Sequence, residues 1–178
     1  MGVLDILLYP DPRLRRKAQP VEIVDDHIRE LAENMAETMY LAPGIGLAAT
    51  QVNVTKRVVV IDCSEDRNDL KVLINPIIKE RRGEVETEEG CLSIPGIIAP
   101  VVRSEEITVS ALNLDGHEYE MTANGILSIC IQHELDHLEG KVFVDYLTRL
   151  KQIRIKKQLT KARRLKTRNE SGDHAIAL

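Results

Sequence analysis

ILSICIQHELDHL, residues 126–138, is the stretch that decides the fold. Its apolar residues recur at helical spacing, and at 3.6 residues per turn positions i and i+4 share one face. His133 and His137 therefore reach one point from one side of the helix, with Glu134 between them in sequence. Two imidazoles and a carboxylate in this pattern suit a catalytic metal site, the Glu facing the open coordination position. A helix with this motif is expected in the middle of the fold, with the other elements packed around it.

The pattern needs a third ligand. One protease class places a third His six residues beyond the second, but Phe143 stands there. Another takes a Glu about 20 residues downstream, yet Arg149 to Arg168 contains no acidic residue. Glu139 and Asp145 are too close to return from a following helix, and His174 falls in a polar C-terminal tail. The ligand is therefore sought upstream, among three cysteines. Cys130 is seven residues before His137, about 10 Å along a helix axis, and reads as a small buried side chain. Cys63 ends the β-branched run from Val58 and also reads as packing. Cys91 follows Gly90, where the backbone can come close, and is the best candidate.

Outward from the helix, Ile28, Leu31, Met35 and Met39 mark a first helix over 25–41, with Asp25 and Asp26 near its start and Pro43 past its end. Short β-branched runs follow at 57–62, 71–74, 76–80, 106–113 and 117–122, with a turn at Asn113 to Gly116. The expected class is α+β, mainly antiparallel sheets packed around a central metal-binding helix, with a C-terminal helix. Residues 1–148 read as the catalytic domain, 149–168 as a basic helix of the same domain and 169–178 as an unordered tail.

The chain of 178 residues, 43% hydrophobic with no Trp and one Phe, suffices for one aliphatic core. Three widely spaced cysteines argue against a disulfide framework and for a reducing cytoplasm. Asp5 and Pro10 interrupt the first apolar run, which reads as neither signal peptide nor membrane span. Ile6 stands where a myristoylation motif needs Ser or Thr.

Three motifs, GIGLAATQ (44–51), EGCLS (89–93) and QHELDH (132–137), resemble in order and spacing those of the peptide deformylases. The likeness runs from about Val3 to about Arg168. It implies metal ligands at Cys91, His133 and His137, Glu134 as acid and base, and Gln51 with the Leu92 N–H as donors to the substrate carbonyl oxygen. Ile45, Gly46, Leu127 and Ile129 are implied as walls of an apolar pocket for a methionine side chain. The implied substrates are N-formylmethionyl nascent peptides, and the implied ion is Fe(II), which Zn(II), Ni(II) or Co(II) can replace. Where some bacterial members carry a basic residue after the cysteine motif, this chain has Ile97 and Ile98. The enzyme is expected to be monomeric.

The residue chemistry agrees with that resemblance. Two imidazoles and a thiolate leave a divalent ion an open position, where a water becomes more acidic. Glu134 then accepts the water proton and returns it to the leaving amine. The stretch 44–51 lacks the Lys-Ser/Thr ending of a P-loop and the third Gly of a dinucleotide fingerprint, and reads as a tight turn delivering Gln51. Asp136 fits a supporting role beside His133. The rival readings are another metal amidase or metallopeptidase, and an idle RNA-binding protein.

Charge divides the chain. Residues 1–148 hold 14 basic and 26 acidic side chains, and 149–178 hold 10 basic and 2 acidic. All ten positive charges lie between Arg149 and Arg168, with Leu150, Ile153, Leu159 and Leu165 as a partial apolar stripe. That helix either packs on the acidic body or contacts a polyanion such as ribosomal RNA.

Overall fold

Asp25 opens the first helix of the structure, a computed structural model that describes residues 2–172. Its carboxylate accepts the Ile28 N–H at 3.0 Å, satisfying an amide that no earlier turn can reach. This helix, α1 (Asp26–Leu41), buries Ile28, Ala32, Met35 and Met39 and ends before Pro43.

Seven strands follow: β1 (Gly46–Ala48), β2 (Val58–Ile61), β3 (Lys71–Arg82), β4 (Val85–Cys91), β5 (Ile94–Arg103), β6 (Glu106–Leu112) and β7 (Glu118–Asn124). They pair antiparallel, as a five-stranded sheet β1-β2-β3-β6-β7 and a separate ribbon β4-β5. The metal-motif helix α2 (Gly125–Leu138) and the C-terminal helix α3 (Arg149–Gly172) complete the described chain. The α+β class expected from the sequence is the one observed.

Alternation along β2 explains why its run of Val and Ile has no polar member. Val59 and Ile61 belong to the same core cluster as Cys130, Ile131 and Leu138 of α2, while Val58 and Val60 belong to another with Met35 and Met39 of α1. A strand covered on both faces reads as a continuous apolar run. α2 is likewise buried around most of its circumference, Ser128 to Glu134 all being buried, so the motif lies in the interior.

Two strand expectations need correction. The runs 71–74 and 76–80 form one strand, β3, which bends at a bulge between Ile74 and Ile77 instead of breaking at Asn75. Asn75 takes φ +52°, and its side chain exchanges two 2.8 Å hydrogen bonds with the Val21 backbone, which holds the bend. The β4-β5 ribbon was not expected, because β4 carries Glu86, Glu88 and Glu89 and β5 contains Pro95, Gly96 and Pro100. A two-stranded ribbon leaves each strand one unpaired edge, where proline is tolerated.

α3 is anchored through Ile155 and Leu159, which pack on the third apolar cluster around Phe143. Of the apolar stripe read from the sequence, Leu150, Ile153 and Leu165 are exposed, and only Leu159 faces the body. Residues 173–178, most of the expected tail and His174 with it, lie outside the described residues.

Candidate metal centre

Cys91, His133 and His137 bring one ligand atom each within 4.8 Å of one another. His137 Nε2 stands 3.3 Å from both Cys91 Sγ and His133 Nε2. Metal bonds of about 2.0–2.3 Å at tetrahedral angles set ligand atoms roughly 3.3–3.8 Å apart, so the trio fits one ion. Cys130, which the sequence reading set aside as a ligand, does not belong to this trio.

The three ligands come from two elements. Cys91 ends β4, where the ribbon turns tightly through Leu92 and Ser93 into β5. His133 and His137 project from successive turns of α2. Behind His133, Nδ1 lies 2.8 Å from Glu89 Oε2, a contact in which the imidazole donates and leaves Nε2 free for a metal. Arg103 clamps Glu89 through two hydrogen bonds, Nε to Oε1 at 2.6 Å and Nη2 to Oε2 at 2.9 Å. Its Nη1 donates to Asp136, which also accepts the Tyr146 hydroxyl at 2.8 Å. The Arg103 side chain is 4% exposed, so this is a buried ionic chain leading to a ligand.

Electrostatics follow from that burial. Burial would raise the Glu89 carboxyl, but hydrogen bonds from Arg103 and His133 hold it down to about 2. Burial drives His137 well below an ordinary histidine, which keeps its imidazole neutral as a ligand must be. Burial also lowers the pKa of His133, yet its contacts with Cys91 and Glu89 outweigh this and raise it. Glu134 is pushed up to about 7, chiefly by burial, and its Oε2 has no hydrogen-bond partner among the described residues. The Nδ1 of His137 is similarly unpartnered.

Gln51 is buried in a short 3-10 turn, Ala49–Val52, that follows β1. Its Oε1 accepts the Ala48 N–H at 2.8 Å, while its Nε2 donates to Ser93 Oγ at 3.1 Å and lies 3.6 Å from Cys91 Sγ. Thr50 donates to the His137 carbonyl at 3.0 Å, tying the turn to α2. At Gly46, a Cβ would fall 2.5 Å from Glu134 Oε1 and 2.7 Å from Cys130 Sγ, so only glycine fits beside the carboxylate.

A cavity of about 730 Å³ opens onto Cys91, His133, Glu134 and Gln51, with Leu92 on its rim and Ile45, Gly46 and Ile129 among its walls. Leu127, expected as a wall, is not one of its lining residues; it packs on the core cluster of β2 and β6. One residue along a helix is a turn of about 100°, and the cavity face of α2 instead shows Ile126, Ile129, Cys130 and His133. Ile97 packs on the third cluster and Ile98 is 67% exposed, and neither lines the cavity.

Sequence reasoning missed Glu89 as the support of His133, Arg103 as the clamp on Glu89, and Ser93 as the anchor of Gln51. A carboxylate two residues before a ligand cysteine was the available signal for Glu89.

The family model for polypeptide deformylase matches residues 3–153. A peptide deformylase of Nitrosococcus oceani is 60% identical over 165 residues, covering 93% of this chain and 99% of the relative. One from Stutzerimonas stutzeri is 56% identical, covering 92% and 98%. The crystal structure of a peptide deformylase from Legionella pneumophila superposes with a TM-score of 0.88 at 46% identity, over 93% of this chain and 98% of that one. This chain belongs to the peptide deformylase family, a family of hydrolases.

Proposed function

We propose that this site removes the formyl group from N-terminal formylmethionine of nascent polypeptides, with Cys91, His133 and His137 holding one divalent ion and Glu134 moving the proton. The observation that carries the reading is the unpartnered Glu134 Oε2 beside three convergent ligand atoms at one cavity. A divalent ion held there supplies a Lewis acid for the formyl carbonyl and lowers the pKa of a coordinated water.

The chain does the rest. Glu134, raised to about 7, exchanges a proton readily near neutral pH, taking it from water and delivering it to the leaving amine. Gln51 Nε2 and the Leu92 N–H donate to the carbonyl oxygen as it gains charge, and Ser93 keeps the Gln51 amide aimed. Ile45, Gly46 and Ile129, with Ile126, enclose the methionine side chain. Formyl-Met-Ala-Ser should release formate rapidly, while the unformylated tripeptide should be cleaved at least about 100-fold more slowly. Similar rates on both would favour a metallopeptidase.

Imidazole and thiolate suit Fe(II) as well as Zn(II). Fe(II) is the working ion in this reading, with Zn(II), Ni(II) or Co(II) able to substitute. The enzyme carrying the ion it acquires in the cell should lose activity over hours in air without reductant. Unchanged activity after such storage would count against iron.

Among the described residues no helix is long and apolar enough to cross a membrane. The enzyme acts in the cytoplasm, and one chain supplies every site residue, so a monomer suffices. The ten Lys and Arg side chains between Arg149 and Arg168 suit contact with the phosphates of ribosomal RNA. Truncation after Leu150 should abolish pelleting with ribosomes at low salt and spare tripeptide hydrolysis. Undiminished pelleting would remove α3 from this role.

A further inference from the structure

Two of the three cysteines stand outside the metal trio, together behind the cavity. Cys130 is buried on α2, one turn before Glu134, and its Sγ lies 3.7 Å from the Ile45 carbonyl oxygen. That oxygen also accepts the Asp62 N–H at 2.9 Å, which brings the next residue, Cys63, against α2 just past the end of β2. Cys63 is half-buried and packs on the cluster that contains Cys130, Ile61 and Ile131. The pair is asymmetric. Contact with Cys130 lowers the pKa of Cys63, while contact with Cys63 and burial raise that of Cys130 well above an ordinary thiol. Cys63 is the thiol that solvent reaches, as a reactive cysteine requires, and Cys130 is buried behind it.

We propose that Cys63 and Cys130 form a redox modification site, in which a peroxide converts the pair to a disulfide and reversibly switches the hydrolase off. The Cys63 thiolate attacks a peroxide oxygen; the O–O bond breaks, a sulfenic acid forms, and the released hydroxide leaves as water. The Cys130 sulfur then attacks the Cys63 sulfur; the S–S bond forms, the S–O bond breaks, and a second water leaves with the Cys130 proton. Two thiols lose two electrons, and one peroxide becomes two waters.

Closure draws the sulfurs to about 2.05 Å and so displaces Cys130 within the cavity wall. Gly46 packs directly against both Cys130 Sγ and Glu134 Oε1, so the shift is passed to the carboxylate and the mouth of the pocket. A misplacement on the order of 1 Å at a reacting group can cost about 100-fold in rate. The effect on activity rests on the deformylase reading; the formation of the crosslink does not.

The test uses the full chain loaded with Ni(II), which keeps the Cys91 thiolate coordinated, treated with hydrogen peroxide and then alkylated, digested and weighed. The expected product is a linked pair of Cys63 and Cys130 peptides, with activity down about tenfold or more and restored by dithiothreitol. Cys63→Ser and Cys63→Ala should each start with ordinary activity and show neither the link nor its reversible loss. Absence of the link, or a link that involves Cys91, overturns the redox site. A full yield of link with unchanged activity overturns the switch, and equal reversible loss in both variants assigns the inactivation to the metal centre instead.

Discussion

Glu134→Gln should lower kcat for formyl-peptide hydrolysis by roughly 100- to 10,000-fold while the protein retains one metal ion per chain. The amide matches the carboxylate in size, so the tight contact with Gly46 survives the change. What is lost is the exchangeable proton of a buried carboxyl held near 7. Because Glu134 is not one of the three convergent ligands, metal content should not follow activity. Formate release and elemental analysis on the same sample check both halves. A kcat within tenfold of the parent, or loss of the ion, would remove Glu134 from the proton-transfer role.

Arg103→Leu should destabilise the fold by about 3–5 kcal/mol, because two carboxylates, Glu89 and Asp136, lose the cation that accompanies them into the interior. It should also weaken metal binding roughly 10- to 100-fold, since Glu89 fixes the donor direction of His133. The acid side of the stability profile should change as well. Glu89 is depressed to about 2, so it stabilises the fold above its ordinary value of about 4.3, and that contribution is lost as pH falls toward 2. Without Arg103 the carboxyl rises and the contribution shrinks. Arg103→Lys should fall between, since a point charge cannot reproduce the two-pronged clamp on Glu89. Thermal unfolding of metal-free protein and competition with a chelator measure the two effects separately. Changes below about 1 kcal/mol and twofold would mean that the buried ionic chain contributes little.

The central helix was legible because its signals are local: an i, i+4 histidine pair on a helix apolar nearly all round. Cys91 was legible by elimination, and Gln51 only through the motif it ends. What sequence did not reveal depends on pairing at a distance. Glu89 and Arg103 sit on partner strands of a ribbon whose charges, prolines and glycine hide its strand character. The bend at Asn75 looked like a strand end because its hydrogen-bond partner, Val21, lies 54 residues away. Leu127 and Ile126 are adjacent in sequence yet face core and cavity respectively, a distinction that only the rotation of α2 about its axis decides.

The most direct measurement is a titration in which chelator-stripped protein receives Fe(II) anaerobically while bound metal and formate release are followed together. Activity should rise linearly from near zero and level off at one ion per chain, and Cys91→Ala should show neither tight binding nor turnover. Full activity in the stripped protein, a plateau at two ions, or an active Cys91→Ala would contradict a single centre built from Cys91, His133 and His137.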